Sequence, residues 1–212
     1  MSKDSWDRQH LRYQEKDWID QPSLFAQSMT KYLPNGGKLL DLGAGQGQDS
    51  RFFAKLGFEV TSTDFSPQAL ELNRQKAEID ALNIEIKPVD LNVPLEFASE
   101  SFDVIYSHLA LHYFSADRTR ELFQELATIL KPSGRLLALF NTFEDPEISS
   151  LEPIEEDYYR ETKSGLAKRY FSTSSARTFL PETMEIILLD NHGETYKDEI
   201  HSLIRLVAQK RT

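Results

Sequence analysis

The feature that most constrains the chain is a glycine loop between two apolar runs. The stretch from Lys38 to Asp64 reads KLLDLGAGQGQDSRFFAKLGFEVTSTD. Its first apolar run is continuous rather than alternating, which is typical of a strand buried on both faces of a parallel sheet. Three glycines at every second position follow, and a helical apolar pattern then ends at Gly57, a residue type that commonly stops helices. The stretch therefore predicts a strand, a tight loop, a helix and a second strand.

Strands and helices alternate in the same way through the centre of the chain. Ser66 and Pro67 suit the N-cap and first position of a second helix, and another helix is predicted from Asp117 to Leu130. The predicted strands are KLLDL, FEVTST, IEIKPV, SFDVIYS and RLLALF. This alternation predicts an α/β fold with a doubly wound, Rossmann-like parallel sheet.

The segments on either side of this alternation are less regular. Helical spacing predicts a helix over 4–20 and another that ends at the Pro34-Asn35-Gly36-Gly37 breaker. Residues 141–171 break the rhythm, acidic first and basic later, and are interpreted as an excursion. The C-terminal part predicts a short helix in STSSARTFLP, then strands in TMEIILLD and YKDEIHSLIRLVAQK. A turn at DNHGET joins these strands, which predicts an antiparallel hairpin.

Length, charge and cysteine content narrow the class of protein. The 212 residues suit one domain, and the formal net charge of −10 disfavours nucleic acid as the main partner. The chain has no cysteine, no apolar run long enough to cross a membrane and no secretion signal at its N-terminus. We therefore expect a cytoplasmic protein without disulfides, membrane contact or thiolate metal sites.

The spacing of the glycines indicates what kind of ligand the loop holds. A dinucleotide fingerprint is G-x-G-x-x-G, but here Gly47 comes one place early. A phosphate loop requires a Gly-Lys-Ser/Thr run, and this loop contains no lysine. Asp41 lies two residues before the first glycine, where it would repel a pyrophosphate. The loop therefore suits a ligand with a positively charged group.

With these residues, the sequence resembles the class I S-adenosylmethionine-dependent methyltransferases. LLDLGAGQG is similar to the first motif of that family, and the resemblance continues in order through Asp64, Asp90-Leu91, SFDVIYSHLALHYF and LKPSGRLLALF. It covers roughly residues 36–142. The resemblance implies a seven-stranded sheet whose last strand is antiparallel and inserted beside the fifth. Within the family, the short chain looks most like small tellurite-resistance or thiol methyltransferases, or like a generic methyltransferase-domain subgroup.

The resemblance implies that S-adenosylmethionine is the cofactor and assigns residues to its parts. Asp41 would reach the methionine ammonium, and Asp64 would accept hydrogen bonds from both ribose hydroxyls. Asp90 and the Leu91 N–H would meet the adenine. The full set of expected cofactor residues is Asp41, Gly43, Ala44, Gly45, Gly47, Asp64, Phe65, Asp90, Leu91 and Ser107.

Acceptor residues follow less directly from the sequence. His108 and His112 lie just past the fourth predicted strand, and either could remove a proton from an acceptor or only support the backbone. Aromatic residues could form a wall over the acceptor or belong to the core, namely Tyr13, Trp18, Tyr113 and Tyr170. The dispersed histidines predict no metal site. A basic stretch could bind an anionic substrate or form a solvated face, and it comprises Lys163, Lys168, Arg169 and Arg177.

The resulting interpretation is a single domain over residues 1–212. Its expected parts are a helical lid over 1–35, a cofactor-binding core over 36–142, an insertion near the substrate side over 143–175, and a terminal helix and hairpin over 176–212. The expected activity is methyl transfer to a small-molecule acceptor that the sequence leaves unidentified, as it does the oligomeric state. Two alternatives stay open: a non-catalytic S-adenosylmethionine-binding regulator and a nicotinamide-dependent oxidoreductase.

Overall fold

The computed structural model describes residues 3–196 and 202–212 of the chain. Within them the helices are α1 (Lys3–Tyr13), α2 (Leu24–Met29), α3 (Gln48–Lys55), α4 (Pro67–Ile79), α5 (Ala116–Ile129) and α6 (Thr173–Phe179). The strands are β1 (Gly37–Leu42), β2 (Phe58–Asp64), β3 (Glu85–Pro88), β4 (Phe102–His108), β5 (Leu130–Phe140), β6 (Glu152–Glu155), β7 (Tyr158–Arg160), β8 (Ala167–Arg169), β9 (Met184–Gly193) and β10 (Leu203–Lys210).

Seven of these strands form one twisted sheet in the order β3-β2-β1-β4-β5-β10-β9. Strands β1 to β5 pair in parallel, and β10 is antiparallel to both of its neighbours, β5 and β9. The expectation of a seven-stranded Rossmann-like sheet with the last strand antiparallel beside the fifth is confirmed. Strand order reverses between β1 and β4, and this is where sheets of this type bind ligands.

The continuous apolar runs follow from burial of the sheet on both faces. Along β1, Leu40 and Leu42 pack with α5 and α6 on one side, whereas Leu39 packs with α2 and α3 on the other. Because successive strand residues point to opposite faces, each strand contributes to both cores. The Ser66 hydroxyl accepts the Ala69 N–H at 3.0 Å, which confirms the predicted cap of α4.

The N-terminal segment consists of two different parts. The helix predicted over 4–20 was too long, since α1 ends at Tyr13 and a series of turns follows. In α2, Phe25 and Met29 are fully buried in the core under the sheet. Therefore only residues 3–20 lie over the carboxyl ends of the strands, and the second half of the expected 1–35 lid is a fixed part of the core.

Two further sequence predictions need correction. The predicted turn at DNHGET was wrong for its first four residues, because β9 continues to Gly193. Strand β10 begins at Leu203, and residues 197–201 of the predicted strand YKDEIHSLIRLVAQK lie outside the described residues. The excursion over 141–171 contains a second sheet of three short antiparallel strands in the order β6-β7-β8. Short strands with mixed charges carry little alternation, so the sequence did not indicate this sheet.

Candidate functional site

A cavity of about 370 Å³ opens at the carboxyl ends of β1 to β4. Its size is within the range of small-ligand sites. Its lining comes from several parts of the chain. They are the glycine loop, the loops after β2, β3 and β4, helix α1, the second sheet and the residues after β9. Of the expected site residues, those that line it are Tyr13, Trp18, Asp41, Gly43, Ala44, Gly45, Asp64, Phe65, Asp90, Leu91, His108 and Tyr113.

The glycine loop requires glycine for two physical reasons. Gly43, Gly45 and Gly47 all have positive φ angles, which side chains disfavour. A Cβ on Gly43 would lie 2.3 Å from the Cβ of Ala110, in the loop after β4. A Cβ on Gly47 would lie 1.9 Å from Asn73 Oδ1 on α4. The glycine loop therefore packs closely between Ala110, just after β4, and Asn73 on α4, and its backbone faces the cavity.

Asp64 at the end of β2 supports the glycine loop directly. Its Oδ2 accepts the Gly45 N–H at 2.8 Å, and its Oδ1 accepts the Ser66 N–H at 2.8 Å. Each carboxylate oxygen has further acceptor capacity. The arrangement leaves Asp64 able to accept hydrogen bonds from a pair of ligand hydroxyls while it fixes the loop beside them.

Asp90 and Leu91 follow β3 at the far end of the cavity. Asp90 Oδ1 accepts the backbone and side-chain N–H groups of Asn92 at 2.9 and 2.8 Å, an Asx turn that orients the loop. Phe65 lines the cavity next to Asp64, and the Lys3 ammonium lies 5.0 Å from its ring centroid. This end therefore combines a flat apolar ring with a carboxylate.

Asp41 and Asp49 place two carboxylates where β1 ends and α3 begins. Asp41 is only 1% exposed, and its Oδ2 accepts from the Ser50 hydroxyl at 2.6 Å. Burial raises the pKa of Asp41 well above its ordinary value, and the charge of Asp49 acts in the same direction. Asp49 itself accepts from the Ser23 N–H at 2.7 Å and from the Tyr106 hydroxyl at 2.7 Å. A cation in the cavity would stabilise both carboxylates.

The structure separates the two histidines that the sequence paired. His108 lines the cavity, and its Nε2 is 2.9 Å from Thr195 Oγ1. Burial lowers its pKa, so the ring is neutral near pH 7. His112 is buried outside the cavity lining, and its Nδ1 has no hydrogen-bond partner among the described residues. Burial lowers the pKa of His112 to about 3, which makes it a weak base.

An aromatic wall lies beside His108. The Trp18 and Tyr196 rings stack at 4.2 Å between centroids with an interplanar angle of 11°. Tyr13 continues the wall from Trp18 at 5.4 Å, and Tyr196 meets the His108 ring edge-on at 4.9 Å. The expectation for Tyr13 and Trp18 thus has a structural basis, although their partner Tyr196 comes from the other end of the chain.

Helix α1 covers part of the cavity and contributes Trp6, His10 and Tyr13 to its lining. The Trp6 ring meets the Tyr113 ring edge-on at 5.2 Å, which joins the helix to the loop after β4. Asp7 accepts from the Ser66 hydroxyl and, at 3.2 Å, from the Gln68 N–H at the start of α4. A carboxylate is favourable at this helix N-terminus. These contacts hold α1 against the loop after β4 and the start of α4.

Four expected site residues lie away from the cavity lining. Ser107 donates to the Leu42 carbonyl at 3.1 Å, so its hydroxyl joins β4 to β1. Tyr170 is fully buried and donates to Glu147. Gly47 and His112 contact the surrounding helices and loops rather than the cavity. For these positions the structure supplies a packing or hydrogen-bonding role.

The four residues of the basic stretch differ, since Lys163 and Arg177 are exposed whereas Lys168 and Arg169 are paired within the protein. Arg169 is 2% exposed, and it donates to Glu155, to the Glu156 carbonyl at 3.0 Å and to the Phe114 carbonyl at 3.3 Å. The Lys168 ammonium pairs with Glu147 at 2.7 Å. The two central cations therefore fasten the second sheet to the body of the protein.

Several cavity residues were missed by the sequence reasoning. Asp49 was counted only as part of a helix, and Tyr196 only as part of a strand. His10 and Gln48 are 7% and 8% exposed, and each has a ring or amide atom without a hydrogen-bond partner among the described residues. A possible signal for Asp49 and Gln48 was their position in the first turn after the glycine loop, where side chains can reach a ligand bound there.

No helix in the described part of the chain is long and apolar enough to cross a membrane. In the same residues, no group of three or more His, Asp or Glu side chains is close enough to hold a metal ion.

Comparison with known proteins gives consistent results. A family model described as a methyltransferase domain matches residues 39–134. An uncharacterized methyltransferase, YodH, of Bacillus subtilis is 29% identical over 155 residues, which are 69% of this chain and 65% of that protein. The demethylmenaquinone methyltransferase of Tropheryma whipplei is 31% identical over 150 residues, 71% of this chain and 59% of that protein. The aligned part is thus less than two thirds of either relative's length.

The fold also matches solved structures. One is the 1,6-didemethyltoxoflavin-N1-methyltransferase of Burkholderia thailandensis, solved with 1,6-didemethyltoxoflavin and S-adenosylhomocysteine. It is 16% identical with a TM-score of 0.74, and the match covers 99% of this chain and 85% of that one. At this identity the likeness concerns the fold. Together with the family-model match and the glycine loop, it leads to one conclusion: residues 39–134 form a methyltransferase domain of the class I S-adenosylmethionine-dependent type, whose cofactor is S-adenosylmethionine.

Proposed function

We propose that this chain transfers the methyl group of S-adenosylmethionine to a small-molecule acceptor. The observation that carries the proposal is the row of carboxylates at one edge of the sheet. Asp90 lies just after β3, Asp64 is the last residue of β2 and Asp41 lies near the end of β1; these strands are neighbours in that order, and all three carboxylates line one cavity. In this order, Asp90 would face the adenine, Asp64 the ribose and Asp41 the methionine ammonium of the cofactor.

This order gives the cofactor a direction. If adenine lies at β3 and methionine at β1, the sulfonium methyl points toward the next strand, β4. His108 ends β4, and the aromatic wall stands beside it. The sulfonium is already an activated leaving group, so the protein has to align acceptor, methyl carbon and sulfur and to exclude water. The cover formed by α1 serves the second requirement.

Residue roles follow from these positions. The loop from Gly43 to Gly45 would contact the cofactor through its backbone, and Phe65 would pack against the adenine. Asp41 and Asp49 would hold the ammonium. We assign His108 to the acceptor side and withdraw His112 from any contact with the reacting atoms, because it lies behind the cavity lining. The likeness to small tellurite-resistance or thiol methyltransferases remains a prediction from the sequence.

Incubation with methyl-labelled S-adenosylmethionine and a panel of small acceptors tests the proposal. We expect transfer of label to at least one acceptor and accumulation of S-adenosylhomocysteine in the presence of a chelator. A protein that binds the cofactor but produces no S-adenosylhomocysteine with any acceptor would favour a non-catalytic regulator.

A further inference from the structure

The acceptor half of the cavity, around His108 and the Trp18–Tyr196 stack, differs from the cofactor half in charge. Asp41, Asp64 and Asp90 belong to the cofactor half, the Asp49 charge acts on the pKa of His108, and the whole lining contains, within the described residues, no lysine or arginine. On the acceptor side, the rings of Tyr13, Trp18 and Tyr196 form the wall beside His108. Carboxylates and the faces of aromatic rings both attract positive charge. Such a lining disfavours any acceptor that carries a carboxylate, phosphate or sulfate group.

On the basis of the proposed function, we infer that the acceptor is a nitrogen base without an anionic group, an aromatic amine or nitrogen heterocycle held against the Trp18–Tyr196 stack beside His108. The stacked rings offer a flat apolar surface close to the point where the methyl group is expected. Flat aromatic ligands pack well against such surfaces.

Charge balance in the reaction supports this class of acceptor. The lone pair of a neutral nitrogen attacks the methyl carbon, a C–N bond forms, and the S–CH₃ bond breaks with its electron pair moving to sulfur. The sulfonium becomes a neutral thioether, and the positive charge passes to the methylated nitrogen. The charge of the sulfonium therefore stays within the cavity when it passes to the acceptor nitrogen, and Asp49 and the aromatic faces would stabilise it before and after the transfer.

The hydrogen-bonding groups in this half of the cavity are consistent with an N–H donor. Gln48 Nε2 donates to the Tyr196 hydroxyl, and Gln48 Oε1 is buried with no partner among the described residues. A ligand N–H would satisfy that oxygen, since leaving a buried acceptor unpaired is costly. His108 is neutral near pH 7 and can take the proton that a methylated amine releases.

An oxygen acceptor fits less well. A phenol must lose its proton to become a strong nucleophile, and the resulting phenolate would lie among carboxylates. Burial weakens His108 as a base, so it is poorly suited to remove that proton before attack. A neutral nitrogen requires no prior deprotonation.

The test uses the full chain saturated with S-adenosylhomocysteine and two probes of similar size, benzyltrimethylammonium and phenylacetate. Calorimetry should show binding of the cation and at least tenfold weaker binding of the anion. Trp18→Ala should weaken cation binding on the order of tenfold or more. Tyr196→Phe, which keeps the ring and loses only the hydroxyl, should retain it.

Titration with S-adenosylhomocysteine alone checks that each variant is folded and separates the two proposals. Failure of the wild type to bind S-adenosylhomocysteine would count against the proposed function itself. Normal binding of S-adenosylhomocysteine with equal or tighter binding of phenylacetate, or with no cation binding at millimolar concentration, would overturn the acceptor class alone. Unchanged cation binding by Trp18→Ala would overturn the placement of the acceptor at the Trp18–Tyr196 stack.

Discussion

The two halves of the cavity are built in different ways. The cofactor half comes from three consecutive strand ends, and its contacts span short distances in sequence, such as Gly45 to Asp64. The acceptor half joins distant segments, with Trp18 stacked on Tyr196 and Trp6 against Tyr113. A local loop is fixed by its own backbone geometry, whereas a wall made of remote segments depends on the whole fold. The first half can be recognised in sequence, and the second can vary between relatives.

The largest expected effect concerns the glycine loop. Gly43→Ala should destabilise the protein by about 3 kcal/mol, because a positive φ costs a side chain about 1–2 kcal/mol and overlap with Ala110 adds about 1–3 kcal/mol. Gly165→Ala is a matched control, since Gly165 also has φ +70° but a Cβ there meets nothing within 4 Å. Denaturant titration gives both values.

A second substitution separates the cost of the steric overlap with Ala110 from the cost of the positive φ angle at Gly43. In Gly43→Ala, the added Cβ would lie 2.3 Å from the Ala110 Cβ, so Ala110→Gly in the same chain should recover part of the lost stability. Equal destabilisation by Gly43→Ala and Gly165→Ala would mean that the approach of β4 does not shape the loop.

Asp64→Ala should weaken S-adenosylhomocysteine binding roughly ten- to a hundredfold, because lost hydrogen bonds to a charged acceptor cost about 1.5–3 kcal/mol. The structure adds a second reason, since the Gly45 N–H also loses its acceptor. Ser66→Ala, which removes the neighbouring helix cap but leaves the Asp64 carboxylate, is the control in calorimetry. If both variants bind equally well, Asp64 serves only the loop.

His112 should make stability depend on pH. Its folded-state pKa of about 3 lies below the ordinary 6.5, so between these values the unfolded chain holds a proton that the folded chain lacks. Stability is therefore lost as pH falls from about 6.5, by up to about 1.4 kcal/mol per pH unit for this one group.

His10 and His108 have pKa values shifted in the same direction, whereas the raised pKa of Asp41 acts in the opposite direction. The comparison of variants is therefore more informative than the wild-type curve. His112→Asn should flatten the dependence between pH 6.5 and 5, and the same change at the exposed His192 is the control. Identical slopes for wild type and His112→Asn in chemical denaturation would contradict the burial argument.

The smallest expected effect is a change in amide exchange of the segment that covers the cavity, residues 3–20. S-adenosylhomocysteine should slow amide exchange across residues 3–20, because ligand in the cavity adds contacts to Trp6 and Tyr13. Helix α2 provides an internal reference, since Phe25 and Met29 are already fully buried. Equal exchange over 3–20 with and without ligand, while the Gly43–Gly47 loop gains protection, would reduce α1 to a packing role.

The sequence was most informative at positions where a ligand contact or the backbone conformation restricts the type of residue. The strand–helix alternation, the glycine loop and the positions of Asp41, Asp64 and Asp90 at strand ends could be predicted from the residues, whereas the place of the last strand followed from the family resemblance. Long-range partners could not be predicted from one chain. Neither Tyr196 beside Trp18 nor the burial of His112 has a local sequence signal, since periodicity reports only which face of an element is apolar.

The most direct test of the account is a calorimetric titration of the wild-type chain with S-adenosylhomocysteine in the presence of a chelator, repeated with a nicotinamide dinucleotide. The account predicts binding of one S-adenosylhomocysteine per chain without metal and no heat from the dinucleotide. Binding of the dinucleotide with none of S-adenosylhomocysteine would contradict the assignment of the carboxylate row to this cofactor.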